Sequence, residues 1–473
     1  MKLLGFDHHA AHDLEALARA GSAHELRTVP KDPLIGLAQE IFPRDIWDLS
    51  VAYYDRANAA MRSAWARRVG TLLDRVHEGY PFEALILPSD TYFYVRSLVD
   101  WARDRGVATI VVQKETTVSP FVMATHAKAV QDAFPFACDV MTVCSERLKE
   151  FWVRAGTDPA RIVVTGQPRF DLYRQPERWQ SLESLGVPPA GDVRTILFLA
   201  YHRQVRTLVG VGFGDARPDE ASYVADDVYW DTLRRETEQV LVDLVATGRY
   251  RVVVKPHPQQ APEEMAALFP NVPAALRERI VFLSGSHDAR QLIVNADVVV
   301  GFQTTALYES IAAKKKTVCT FWSDEVEQFE DILIPFHQSA PGALTIARSP
   351  QQLRDAVEDT SEVTPEEEEA RRRVWEEHLG PLDGGASRRV LDVVERTVDN
   401  RRAAFAPRRR RPHPFEARLH NTAAYKVALT GLEHIKRTRL LWRLHHALAP
   451  KVESRLRSLD CENRLIHAVF ASR

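Results

Sequence analysis

Short, almost wholly apolar runs recur along the chain. Longer segments separate them, and there apolar residues return every three or four positions. Residues 2–6 (KLLGF), 84–87 (ALIL), 108–112 (ATIVV), 140–143 and 162–165 (IVVT) read as strands. Runs that are apolar on both faces belong to a parallel sheet with helices on each side. The intervening segments, chiefly 46–79 and 91–106, carry helical spacing. A first helix is expected just past His12-Asp13, with Asp13 near its cap and Leu14, Leu17 and Ala18 along one face. The alternation breaks over 175–193, where Pro176, Pro188, Pro189 and Gly191 stand and no strand pattern does. It restarts with strands at 195–200, 251–254, 280–283, 297–300 and 317–321, and with helices over 227–246 and about 305–313. Helices over 364–377 and about 386–402 follow.

This pattern predicts an α/β chain of two Rossmann-like domains facing a cleft, 1–174 and 194–385, joined by a linker at 175–193. Hydrophobic residues make up 45% of the 473 and charged residues 27%, which excludes a disordered or fibrous chain. No window approaches the roughly 20 apolar residues of a membrane span. The net charge of −2 conceals an asymmetry: residues 401–473 hold 17 Lys/Arg against 5 Asp/Glu, and the first 400 hold 45 against 59. A mildly acidic body thus carries a basic, helical C-terminal tail, 404–473. Cys138, Cys144, Cys319 and Cys461 match no zinc or redox spacing, so free thiols in a reducing, cytoplasmic compartment are expected. The apolar start reaches Asp7-His8-His9 too soon for a secretory signal.

Chemistry is expected just past strand ends, where open parallel sheets bind ligands. Lys255-Pro256-His257-Pro258 follows the strand at 251–254. Two prolines stiffen that loop, and a fixed histidine beside a lysine suits a departing phosphate. Gly301-Phe302-Gln303-Thr304-Thr305 follows the strand at 297–300 and leads into a helix. Its N–H groups and two hydroxyls are donors for a phosphate, and Glu309, one turn on, is placed to accept from a ribose. Gly166 and Pro168 shape the loop 164–171 at the cleft mouth, where Gly166 and Arg169 are candidate substrate-binding residues. Phe6-Asp7-His8-His9-Ala10-Ala11-His12-Asp13 follows the first strand; its three histidines could supply a general base, and His8 and His9 are the candidates. Asp90 is a third, past the strand at 84–87. Residues 113–117 could line the cleft, and Tyr201-His202-Arg203 could bring His202 and Arg203 to the donor phosphates. Asp226-Asp227 reads as a helix cap rather than a metal pair. No Gly-x-Gly-x-x-Gly or Walker A pattern occurs, which argues against dehydrogenases and P-loop ATPases.

In this order, over roughly residues 80–400, the motifs resemble those of the two-domain (GT-B) sugar-nucleotide enzymes of bacterial surface-polysaccharide synthesis. Lys255-Pro256-His257-Pro258 resembles the His-Pro motif of capsule glycosyltransferases, bacterial sialyl- and Kdo-transferases and CDP-glycerol glycerophosphotransferases. Gln303-Thr304-Thr305 with Glu309 is similar to their donor-phosphate motif. Leu382-Asp383-Gly384-Gly385-Ala386-Ser387-Arg388 resembles the turn into a last helix, 386–403, that packs back across the N-terminal domain.

The resemblance implies a glycosyltransferase that needs no metal or other cofactor and moves a sugar from a nucleotide-activated donor to a glycan or lipid-linked acceptor. Gly301, Gln303, Thr304, Thr305, Lys255 and Glu309 would hold the donor, and His257 would stabilise the departing phosphate. His8, His9 or Asp90 would take the acceptor proton. Three alternatives stay open: a CDP-polyol phosphotransferase of teichoic-acid type, a UDP-N-acetylglucosamine 2-epimerase-like enzyme, and a nucleotide-sugar-binding scaffold without turnover. The tail 404–473 is expected either to dock on anionic lipid at the inner face of the membrane or to pack on the protein or a second copy. Nucleic acid is not an expected partner.

Overall fold

The computed structural model describes residues 1–7, 10–42, 56–92, 94–113, 127–128, 130–131, 135–189, 191–200, 204–205, 228–257, 260, 265–328, 333–405 and 460–470. The N-terminal sheet comprises β1 (Lys2–Asp7), β2 (Glu25–Pro30), β3 (Ala84–Leu87), β4 (Ala108–Val112), β5 (Val140–Val143) and β6 (Ile162–Val164). They lie in the order β2-β1-β3-β4-β5-β6, all parallel. In the second half come β7 (Arg194–Leu199), β8 (Gln204–Val205), β9 (Val228–Tyr229), β10 (Tyr250–Lys255), β11 (Ile280–Phe282), β12 (Val298–Gly301), β13 (Lys316–Thr320) and β14 (Thr345–Ala347). Six of these form a second parallel sheet, β11-β10-β7-β12-β13-β14, and β8 and β9 pair separately. Two Rossmann-like domains, the expected α/β architecture, are therefore present.

Within the two six-stranded sheets, the strands that the hydrophobic pattern misses, β2 and β14, are edges; it also misses the short pair β8 and β9, and the helix expected from residue 227 starts only at Asp231, after β9. In β2 only Val29 is buried, and Glu25 and Arg27 interrupt the apolar run. The first helix spans Ala11–Ala20, so Asp13 stands inside its first turn rather than at its cap.

In each sheet the chain runs outward from a central strand and then returns to that strand's other side. It goes from β1 to β2 and back to β3, and from β7 through β10 to β11 and back to β12. Loops diverge at these two reversals, which opens a crevice at the carboxyl ends of β1 and β3 and another at those of β7 and β12.

After the helix Pro365–His378 the chain crosses back to the N-terminal domain through Leu379-Gly380-Pro381-Leu382. Gly380 has φ +77°, and a Cβ on it would stand 1.7 Å from the carbonyl oxygen of Cys144. The helix Ala386–Ala404 then covers the N-terminal sheet, burying Val390, Leu391, Val394 and Val398 against Leu3, Ile86 and Ile110. Asp171 holds its start: Oδ1 accepts from Ala386 N at 2.9 Å and Oδ2 from Ser387 N at 2.8 Å. Such a bond to the unpaired N–H groups of a first turn stabilises a helix by roughly 1 kcal/mol. Arg389 Nε donates to Thr165 O at 2.8 Å. Gly166, expected to touch substrate, has φ +74° and lies beneath this junction, with Pro381 O 3.0 Å from where a Cβ would be.

Of the tail, 460–470 is a helix docked on the N-terminal domain. Leu465 and Val469 enter the core that holds Leu37, Leu72 and Val76. Glu462 pairs with Arg68 at 2.5 Å, and Arg27 Nη1 donates to Val469 O at 2.8 Å. Residues 406–459, where the basic amphipathic segment was expected, lie outside the described residues.

His378 is fully buried and stacks on Tyr308, with ring centroids 4.3 Å apart and 18° between planes. Burial, helped by the Arg147 cation, pushes its pKa down to about 4. The folded protein thus keeps a neutral ring where the unfolded chain takes a proton below about 6.5. This contribution to stability is complete above that pH, falls as the pH drops towards 4, and levels off below. A shift of this size corresponds to about 3 kcal/mol between pH 7 and pH 4. Urea unfolding of the native protein and His378→Phe at the two pH values measures it. Phenylalanine keeps the stack without the titration, so the acid-linked loss should shrink by that amount. An equal loss in both proteins would exclude His378 as its source.

Candidate active site

Three neighbouring strands carry the C-terminal candidates to one edge. Lys255 of β10 and Gly301 of β12 are both in register with Leu199 of β7, one from each side. Both following loops leave the carboxyl edge, from strands about 10 Å apart at two strand spacings. His257 is exposed; its backbone N–H donates to Gln260 Oε1 at 3.3 Å, and its carbonyl accepts from Gln260 N at 3.0 Å. Lys255 is buried, and its Nζ donates to Pro256 O at 3.1 Å and to Gly285 O at 3.2 Å. An ammonium has three donors, and the described residues take up two of them. Burial lowers its pKa, and the carboxylate of Asp288 opposes that shift.

On the β12 side, Gln303 takes φ +48°, the left-handed region that non-glycine residues seldom occupy. Its side chain fixes that turn: Oε1 accepts from Ile334 N at 2.6 Å, and Nε2 donates to Ile334 O at 3.2 Å. The helix begins at Ala306, and Thr304 and Thr305, both half-buried, precede it. Thr304 Oγ1 accepts from Ala306 N at 3.3 Å, and the Thr305 side chain makes no cap bond. Glu309, expected at a ribose, is buried, and its Oε2 accepts from Tyr173 Oη at 2.8 Å. Burial pushes its carboxyl above the usual range.

On the N-terminal side, Asp90 has no exposed surface. Its Oδ2 accepts from Ala137 N at 2.6 Å and from Cys138 N at 3.2 Å. Burial raises its pKa, and Arg96, 3.9 Å away, works against that. It is placed to anchor the 135–138 segment to the end of β3, not to reach an acceptor. His8, His9, His202 and Arg203 lie outside the described residues, as do 114–117 and Asp226-Asp227.

Arg169 joins the two domains. Its backbone N–H and Nη1 each donate to the buried carboxylate of Asp13 at 3.0 Å, and its carbonyl accepts from Arg290 Nη1 at 2.7 Å. Arg290 also grips Asp288 through Nε at 2.9 Å and Nη2 at 2.6 Å. Across the cleft, His12 Nδ1 stands 3.9 Å from Asp288 Oδ2. A cavity of about 230 Å³ opens among these groups. Sequence reasoning missed Tyr173, Asp288 and Arg290 as site residues, whereas His12 stood in the histidine-rich segment it singled out past β1. The strand-end rule applied to β11 would have pointed to Asp288 and Arg290, which follow its carboxyl end as His257 follows that of β10. Among the described residues, no group of three His, Cys, Asp or Glu side chains is placed to hold a metal ion, and no helix is long and apolar enough to cross a membrane.

Residues 114–396, more than half of the chain, match the family described as CDP-glycerol:poly(glycerophosphate) glycerophosphotransferase. The chain belongs to this family. The glycerophosphotransferase match takes in Lys255, His257, Gly301, Gln303, Thr304, Thr305 and Glu309, and leaves out His8, His9, His12 and Asp90. Among solved structures, the chain is similar to the UDP-GlcNAc 2-epimerase from Methanocaldococcus jannaschii. The two are 13% identical over 84% of this chain and 100% of that one, with a TM-score of 0.51. It is also similar to the wall teichoic acid polymerase TagF, at 13% identity over 67% of this chain and 74% of that one, with a TM-score of 0.45. Likeness at such identities is one of fold. No curated protein sequence matches the chain. The glycerophosphotransferase family is one of transferases acting on nucleotide-activated donors, so the expected reaction class stands; the group that moves is a separate question.

Proposed function

We propose that this protein transfers a polyol phosphate from a CDP-activated donor to a hydroxyl of a polymeric acceptor. The observation that carries this reading is the shared register of Lys255 and Gly301 about Leu199. It sets the His257 loop and the Thr304-Thr305 turn on one sheet edge, within the span that matches the glycerophosphotransferases. In this reading the acceptor oxygen attacks the β-phosphorus of the donor, the bond from that phosphorus to the bridging oxygen breaks, and CMP leaves. His257 and the remaining Lys255 N–H donate to the departing phosphate, and the two threonine hydroxyls hold the donor in line. Histidines at the start of the chain, His8, His9 or His12, take the acceptor proton. The helix 460–470 is packed into the N-terminal domain. Contact with an anionic membrane or a lipid-linked acceptor therefore falls to 406–459, with 13 Lys/Arg against 3 Asp/Glu.

The released nucleotide tests this reading against sugar transfer, which the same motifs fit. Attack at phosphorus frees CMP. Attack at an anomeric carbon breaks a C–O bond and frees a nucleoside diphosphate. Incubated with CDP-glycerol and a poly(glycerophosphate) primer, the protein should release CMP in step with primer growth. A nucleoside diphosphate released from a sugar donor, with CDP-glycerol left intact, would establish glycosyl transfer in its place.

A further inference from the structure

The cavity between the domains has lining that the donor site does not use. It lies among His12, Arg19, Arg169, Arg178, Asp288 and Arg290, with Glu15 and Ala16 on the same helix. Its 230 Å³ is smaller than the roughly 300–1,000 Å³ of a pocket for a drug-sized molecule, so it suits a small group rather than a nucleotide. Three of its guanidiniums are matched by carboxylates: Arg19 by Glu15, Arg169 by Asp13 behind the wall, and Arg290 by Asp288. Arg178 is not. Its Nη1 donates to Gln175 Oε1 at 2.5 Å, its Nε is buried without a partner, and no carboxylate pairs with it among the described residues. Glu309 acts on Arg169 and Arg290 as well, so the cavity's distinguishing feature is the one lining guanidinium that has no carboxylate partner among the described residues. A buried guanidinium N–H with no acceptor is costly, and Arg178 lines a space that an acceptor could fill.

The cavity also lies on the route an acceptor would take. His12 lies in the first turn of the helix that follows β1, and Asp288 and Arg290 follow β11, so both domains contribute residues from their carboxyl edges. Pro168, Arg169 and Arg178 extend the wall along the segment that joins the two domains.

We propose that this cavity binds one phosphodiester of the acceptor chain, seated on Arg178 beside His12. A diester carries a single negative charge at neutral pH, which suits the one lining guanidinium that no carboxylate pairs with among the described residues. The inference rests on the polyol-phosphate transfer proposed above, and it makes the enzyme a reader of its own product's backbone: a primer with a phosphodiester next to its terminal hydroxyl is held, and a bare polyol is not.

Titration of the full chain with glycerophosphoglycerol, the smallest such diester, tests it, with CMP titrated in parallel and inorganic phosphate as comparator. The diester should bind without displacing CMP and more tightly than inorganic phosphate. Arg178→Gln should weaken the diester roughly 10- to 100-fold, the range for a lost charge-assisted hydrogen bond. Ala16→Glu, which puts a carboxylate into the cavity from a half-buried helix position, should abolish diester binding. Both variants should keep the CMP affinity and thermal midpoint of the native protein. Displacement of the diester by CMP, equal diester affinity in the native protein and Arg178→Gln, or inorganic phosphate binding as tightly as the diester would each overturn the proposal. Failure of CMP to bind the native protein would instead overturn the reading of the donor site.

Discussion

Gly380→Ala should remove about 4–5 kcal/mol of stability, at the top of the range for single substitutions. Two separate effects combine at this position. The left-handed φ of +77° costs an L-residue about 1–2 kcal/mol. The added Cβ would stand 1.7 Å from Cys144 O, so the backbone of the crossing or of the end of β5 has to move. Little can give way there. Cys144 Sγ donates to His378 O at 3.2 Å, Arg147 pairs with Glu377 at 3.0 Å, and Arg174 Nε donates to Leu382 O at 2.5 Å. Urea unfolding monitored by tryptophan fluorescence measures the loss. Gly186→Ala is the internal control, because Gly186 has φ +84° with nothing within 4 Å of the added atom. It should lose only the backbone contribution, about 1–2 kcal/mol. Equal losses in the two variants would show that the approach to Cys144 has no part in the effect.

His257→Ala should lower kcat by roughly 10²- to 10⁴-fold while donor affinity stays within about threefold, the pattern for a group that acts on charge developing as the bond breaks. The side chain is exposed on a loop beyond β10, so the fold should be indifferent to its removal. Turnover at saturating CDP-glycerol and a direct titration of CMP separate the two quantities. Full turnover with normal CMP binding would dismiss the leaving-group role. A parallel fall in both would make His257 a binding residue that does not discriminate between ground and transition states.

Much of the scaffold was legible because strands and helices declare themselves over a few residues. Runs such as 196–200 and 298–300 are apolar on both faces, as a covered parallel strand requires. The strand-end positions of Lys255 and Gly301 followed directly from those runs. The edge strands β2 and β14 did not, since a half-exposed strand tolerates Glu25 and Arg27 as readily as a loop does. Asp13 shows a subtler gap. Its place at a helix start suggested a cap, yet Arg169, distant in sequence, claims its carboxylate.

Within single elements, then, the chain's own pattern was enough: it specified two parallel α/β halves, the loops at their carboxyl edges, and the residue types those loops offer to a phosphate. Which loops meet was decided only by packing. Asp13 reaches Arg169 across 156 residues, Tyr173 reaches Glu309 across 136, and Asp171 holds the first turn of a helix that starts at Ala386. A charged side chain looks the same in sequence whether it faces water or a partner, because its partner is chosen by the docking of two sheets and leaves no local periodicity behind. That docking assigned Glu309 to Tyr173, Gly166 to the crossover helix and Arg178 to an enclosed space.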